Sequence, residues 1–286
     1  MKLLNTIALI SIISVTVGCA PKKPLTYDTE RSKALNIVKA AKMDYGLRDV
    51  AVAKDTVSDI RDSAGYGLAY GWAGYNAPSV GGLSSSATAG MNVLAWALQP
   101  KSPSARNSVI AWMPESIGGK SKEDALDKMA DIIIEASEKA AKDLKFSPRT
   151  FIGRKGTDKR GFAVTLTNNN SENCKVPNKP NSTVSGCNIV YKVRYPHKID
   201  NTTHFVGNGS TWFFDPIEKD FTSMIFKNKL EYNQLDLLIA TSKYLPEWVY
   251  IYLAPGEVKM SGKEKLKVPM ILNKGKPHYF IKVKDS

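Results

Sequence analysis

The residues of this chain best suited to chemistry are three cysteines, three histidines and one loop that ends in Gly-Lys-Ser. The loop, Pro114-Glu-Ser-Ile-Gly-Gly-Lys-Ser121, comes nearest to a catalytic motif. In a phosphate-binding loop, backbone N–H groups cradle phosphate oxygens and the lysine reaches the terminal phosphates. Here the first glycine is missing and Pro114 removes a backbone donor, so the stretch fits a strand-to-helix connection with Ser121 as N-cap. His197, His204 and His278 form no H-E-x-x-H pair and have no acidic neighbour at ligand spacing, so solvated loop histidines are expected. No G-x-S-x-G elbow occurs, and the Ser, Asp and His residues show no spacing that singles out a triad. The paired carboxylates Glu123-Asp124 and Glu135/Glu138 fall on the polar face of a helical repeat, where solvation accounts for them. The expectation is therefore no catalytic residues, no metal and no cofactor. Enzymes whose residues assemble only in space stay possible.

The elements that must place these residues begin with an unusual leader. MKLLNTIALISIISVTVGC carries one positive charge at Lys2, then an apolar run from Ile7 to Val17 interrupted only by small hydroxyl residues. That is the layout of a secretory signal peptide. Eleven helical residues rise only about 16 Å, against a hydrocarbon core of about 30 Å, so a removed leader over 1–18 is expected rather than a spanning anchor.

Thr16-Val17-Gly18-Cys19, followed by the polar tether Ala20-Pro-Lys-Lys-Pro24, resembles the lipobox of bacterial lipoprotein precursors. Thr16 stands where that family usually has leucine. The resemblance implies that the Cys19 thiol receives diacylglycerol and that 19–28 serves as a lipidated tether. More than one acyl chain makes such an anchor stable. Ala20 is not the aspartate that retains enteric lipoproteins at the inner membrane, so the resemblance implies the outer membrane.

Cys174 and Cys187 flank the turn-rich stretch KVPNKPNSTVSG. A disulfide between them would close a loop of about 14 residues, worth about 3 kcal/mol, and an oxidising periplasm would permit it. Two free thiols near in sequence are the alternative. The net charge of +13 is spread along the chain without the dense basic run of a nucleic-acid tail, so no nucleic-acid partner is expected. Such a surface favours lipid headgroups and anionic glycan.

Residues 29–62 contain an amphipathic helical segment: Ala34, Leu35, Val38 and Ala41 recur among lysines from Thr29 to Met43, and Gly46 is the expected stop. Between Asp62 and Lys101, 38 consecutive residues carry no charge. A turn signal at Asn76–Ser79 and Gly81-Gly82 divides 63–100 into two arms. Gly67, Gly71 and Gly74 would line one helical face, a candidate membrane or oligomer contact. Three readings stay open for this hairpin: inserted in or lying on the outer membrane, packed on the folded domain, or a glycine-rich loop. A lipid anchor followed by a charge-free, glycine-spaced hairpin is similar in layout to the plasmid surface-exclusion lipoproteins.

From 102 to 286 the pattern predicts a soluble α+β domain. Val109–Met113 reads as a buried strand. From Ser121 a capping box opens a helix whose apolar residues keep the 3.6 period from Leu126 to Leu144. Strands are expected over 162–167, 188–195, 211–215 and 248–253, and a helix over 230–243. A hairpin is expected from 268–272 and 278–283 around Asn273–Pro277. The order is that of a ferredoxin-like β-α-β-β-α-β unit with an added C-terminal hairpin. Trp248, Tyr250 and Tyr252 would share one strand face, as part of a central strand or as an aromatic platform for glycan or a partner.

These features together lead to an outer-membrane-anchored lipoprotein, non-enzymatic, acting as a binding or assembly component. Its expected partners are the membrane, envelope proteins or anionic glycan, and a second copy of itself. A periplasmic or glycan-processing enzyme is the alternative, marked by a pocket that gathers His204 or His278 with a carboxylate. A small-ligand carrier, with a large apolar cavity, is the third.

Overall fold

A computed structural model describes residues 27–43, 46–52, 107–152, 159–170, 174, 188–200, 209–216, 223–227, 234–259 and 265–283. Cys19, Cys187, His204 and the charge-free stretch 63–100, with Gly67, Gly71 and Gly74, lie outside these residues. The chain is mixed α+β. The strands are β1 (Val50–Val52), β2 (Ser108–Pro114), β3 (Ser147–Ile152), β4 (Lys159–Thr167), β5 (Asn188–Arg194) and β6 (His197–Asp200), then β7 (Ser210–Phe214), β8 (Ser223–Lys227), β9 (Val249–Lys259), β10 (Lys265–Asn273), β11 (Lys276–Tyr279) and β12 (Ile281–Val283). The helices are α1 (Lys33–Ala40), α2 (Glu115–Gly118), α3 (Lys122–Asp143) and α4 (Gln234–Tyr244).

One antiparallel sheet runs in the order β11-β10-β9-β2-β8-β5-β4-β3. Strand β7 joins it along the second half of β2, from Ala111↔Phe214 to Pro114↔Thr211, and β6 continues outward from β7. Separately, β1 and β12 pair in parallel.

Helices α3 and α4 pack on each other and on one face of the sheet, α3 over β3–β5 and α4 over β9–β11. Beneath them lies the larger core, which takes Val109, Ala111 and Met113 from β2, Val249, Ile251 and Leu253 from β9, and Leu126, Met129 and Ile133 from α3. Helix α1 covers part of the other face. Its Leu35, Ile37 and Val38 pack with Ile110, Trp112, Tyr250, Tyr252 and Ile271. The stretches 109–113 of β2 and 249–253 of β9 thus present apolar side chains to both layers, which is why these stretches are apolar instead of alternating.

Local chemistry explains the boundaries. The Ser121 hydroxyl accepts from the Asp124 N–H at 3.0 Å and starts α3, as the sequence indicates. Ser32 does the same for α1 through the Leu35 N–H. Helix α1 stops before Gly46: Lys42 takes φ 54° and the Met43 N–H reaches back to the Val38 carbonyl at 2.7 Å, a Schellman-type closure. The β10–β11 hairpin turns on Lys274-Gly275, both at positive φ, the backbone that matches strand twist in a two-residue hairpin.

Three expectations are corrected here. Strand β9 does not end at Pro255 but continues to Lys259, because a register shift opposite Val268–Met270 accommodates the prolines. The last strand is two: β11 ends at Tyr279, the buried Phe280 intervenes, and β12 leaves the large sheet to pair with β1. Trp248 precedes β9 and joins the α3/α4 core, while Tyr250 and Tyr252 face α1. All three aromatics are buried, Tyr250 and Tyr252 within a central strand, so they form no exposed platform.

Candidate functional site

The Pro114–Ser121 loop is a packed strand-to-helix connection. After β2, residues 115–118 make one helical turn, and the Gly119 N–H is bonded to the Glu115 carbonyl at 2.9 Å instead of standing free for a phosphate. Gly119 takes φ +77°. Gly118 is pressed so closely that a Cβ there would lie 2.7 Å from both Met113 Sδ and Trp212 Cδ1. Trp212 Nε1 donates to the Gly119 carbonyl at 2.8 Å, and Lys198 from β6 donates to Glu115 Oε1 at 2.7 Å. That bond holds the Glu115 carboxyl below the usual carboxylate range. The glycines serve close packing, and the lysine that neutralises this loop comes from across the sheet.

The two described histidines lie on different strands, β6 and β11. His197 opens β6 as an exposed residue whose ring meets the edge of Phe213 at 5.2 Å. His278, by contrast, is half-buried on β11 in a small polar cluster. Cross-strand register sets its neighbours: Asn273 pairs with Lys276 and Ile271 with His278, and Ile271 belongs to the core beneath α1. Side chains alternate along a strand, so Asn273, Lys276 and His278 share the α1 side of the hairpin. From α1, Lys33 reaches into the same place. Its Nζ lies 3.3 Å from Asn273 Oδ1 and 3.4 Å from His278 Nε2.

A buried amide orders this cluster. Asn273 is 6% exposed, and its Nδ2 donates to the Glu247 carbonyl at 2.9 Å and the Val249 carbonyl at 3.1 Å. With both amide protons used, Oδ1 is left to accept from Lys33. A lysine ammonium only donates, so His278 Nε2 accepts and the ring is neutral. Burial, then the charges of Lys33 and Lys276, hold the imidazole down at about 4. Burial and then Lys276 also lower the Lys33 ammonium. Among the described residues, His278 therefore sits with the cations Lys33 and Lys276.

The carboxylate pairs of α3 do structural work. Glu135 forms an exposed ion pair with Lys139, and Glu138 accepts from Thr150 Oγ1 on β3 at 2.5 Å. Glu123 and Asp124 are exposed in the first turn, where they suit the helix N-terminus. Cys174 is wholly buried in the α3/α4 core. Among the described residues, no group of three or more His, Cys, Asp or Glu is placed to hold a metal, and no helix is long and apolar enough to cross a membrane.

Sequence reading missed the Lys33–His278 contact because 245 positions separate its partners. The hairpin half of it was accessible. A two-residue turn at Lys274-Gly275 places Asn273, Lys276 and His278 on one face. Compared with known proteins, the chain matches no family model, no curated protein and no solved structure.

Proposed function

We propose that this chain is a lipoprotein anchored to the outer membrane through Cys19, serving as a binding or assembly component of the envelope without catalysing a reaction. The observation that carries the reading is Thr16-Val-Gly-Cys19 at the end of a short apolar run, followed at once by a polar, proline-containing tether. The placement of His278 beside Lys33 and Lys276 fits a binding role for an anionic partner. In the same proposal, 63–100 is the segment that meets the membrane or a second copy through Gly67, Gly71 and Gly74.

A Cys174–Cys187 bridge belongs to the proposal as well. It is supported by Cys174, which is wholly buried and bonded through its sulfur instead of standing as a free thiol. The ferredoxin-like order is retained as a proposal too. Two helices on one sheet face, and β9-β2 lying toward one edge with β5-β4 toward the other, favour it. Strand β8, inserted between β2 and β5, is the departure.

The test is fractionation of cells expressing the chain with Cys19 or with Cys19→Ala, paired with mass spectrometry of the N-terminus. The expected result is a diacylglycerol-modified Cys19 in the outer-membrane fraction, and loss from that fraction in the variant. An unmodified Cys19 sulfur, or identical fractionation of the two, refutes the anchor.

A further inference from the structure

Lys33, Lys276 and His278 come from an N-terminal helix and a C-terminal hairpin, which the core beneath α1 brings together. Two cations stand beside one half-buried imidazole here: Lys33 at 3.4 Å from its Nε2, and Lys276 on the same face of the hairpin. Among the described residues, no carboxylate lies within ion-pair distance of Lys33 or Lys276. The nearby acids are committed elsewhere. Asp49 accepts from the Ser32 N–H and hydroxyl at 2.8 and 2.5 Å, Glu30 pairs with Lys282, and Asp28 pairs with Arg31. Like charges brought together with partial loss of water are unfavourable until a counter-charge joins them.

The cluster is nonetheless held in place. Asn273, almost wholly buried and anchored to two backbone carbonyls, aims its one acceptor at Lys33. With His278 Nε2 accepting from the same ammonium, the ring proton sits on Nδ1 and is a further donor. Lys33 spends two of its three protons on these contacts. Lys276 is exposed, and among the described residues its ammonium makes no hydrogen bond or ion pair.

We propose that Lys33, Lys276 and the His278 ring form a binding site for a phosphate-type oxyanion, presented by a lipid headgroup or as free phosphate. A tetrahedral oxyanion offers one oxygen to each ammonium and another to the ring N–H. At neutral pH it brings the negative charge that the cluster lacks. The site is independent of lipid attachment at Cys19, since free phosphate would fill it in a chain without an acyl group.

The experiment uses the full chain carrying Cys19→Ala, in two arms. In the first, acetylation of individual lysines by acetic anhydride is followed by mass spectrometry at pH 7.5, with and without inorganic phosphate. Phosphate is expected to slow Lys33 acetylation at least fivefold while leaving Lys128 unchanged. In Lys276→Gln the protection is expected to fall at least threefold. In Lys276→Glu, where a carboxylate takes the place of the anion, it is expected to vanish. Position 276 is exposed, so both variants are expected to keep the parent circular dichroism spectrum; if either did not, His278→Gln, which keeps a neutral side chain there, is expected to reduce protection at least twofold. In the second arm the chain is floated with vesicles of phosphatidylglycerol or of phosphatidylcholine. Flotation specific to phosphatidylglycerol and reduced by Lys276→Gln assigns the headgroup as source, whereas protection by phosphate without such flotation assigns the free ion. Neither protection nor specific flotation, or effects unchanged by every variant, would overturn the site.

Discussion

At the scale of single residues, lysines at left-handed positions stand out. Lys42 and Lys145 close α1 and α3 with φ of 54° and 65°. In each case the next N–H bonds five residues back and the next side chain is buried: Met43 onto Val38 O, Phe146 onto Ala141 O. The cap geometry holds a non-glycine residue where glycine is usual, because burying Met43 or Phe146 requires the chain to turn there. Lys145 is exposed, so its side chain offsets little of that strain. Lys145→Gly should raise stability by about 0.5–1 kcal/mol, the relief of left-handed strain less the added freedom of the unfolded chain. Urea denaturation would show this as a higher midpoint at unchanged slope, and a lower midpoint would contradict it.

Among the elements, the connection from β2 to α3 shows how a glycine pair can resemble a catalytic loop and act as packing. The Gly119 N–H is bonded to Glu115, Trp212 covers the Gly119 carbonyl, and Gly118 is pressed against two buried side chains. Gly118→Ala should cost about 1–3 kcal/mol, because neither Met113 nor Trp212 can withdraw from a filled core. Thermal unfolding of the variant is the measurement, and an unchanged midpoint would mean that the contact yields. Strand β9 makes the complementary point. Its Tyr250 and Tyr252 are buried beneath α1, and burial pushes the Tyr250 hydroxyl up to about 12 and that of Tyr252 higher still.

For the molecule as a whole, layering links the two ends of the chain: α1 from the N-terminal side closes over a sheet whose last hairpin carries His278. This docking depends on pH. His278 titrates near 4 when folded and near 6.5 when unfolded, so the unfolded chain binds more protons between those values. The contribution of a neutral His278 is complete above about pH 6.5 and is lost as pH falls toward 4. Among the described residues the groups facing it are Lys33, Lys276 and Asn273, none of them acidic. Denaturation midpoints measured from pH 7 to pH 4 should fall less steeply in His278→Gln than in the parent chain. Equal slopes would show that acid sensitivity arises elsewhere.

Periodicity and capping made much of this architecture legible. The alternation that repeats every 3.6 residues located α3, Ser121 marked its start, and the apolar runs at 109–113 and 248–253 indicated buried strands, the second beginning one residue later in the structure. These are local signals, carried by neighbours along the chain. The short strands β1, β3, β6 and β8 had no such signal, since each is defined by the strand it pairs with. In the same way, no spacing along the sequence joins Lys33 to His278. Only the stacking of α1 on the β10–β11 hairpin does so, because a sheet with two apolar faces must be covered on both, and the second cover came from the opposite end of the chain.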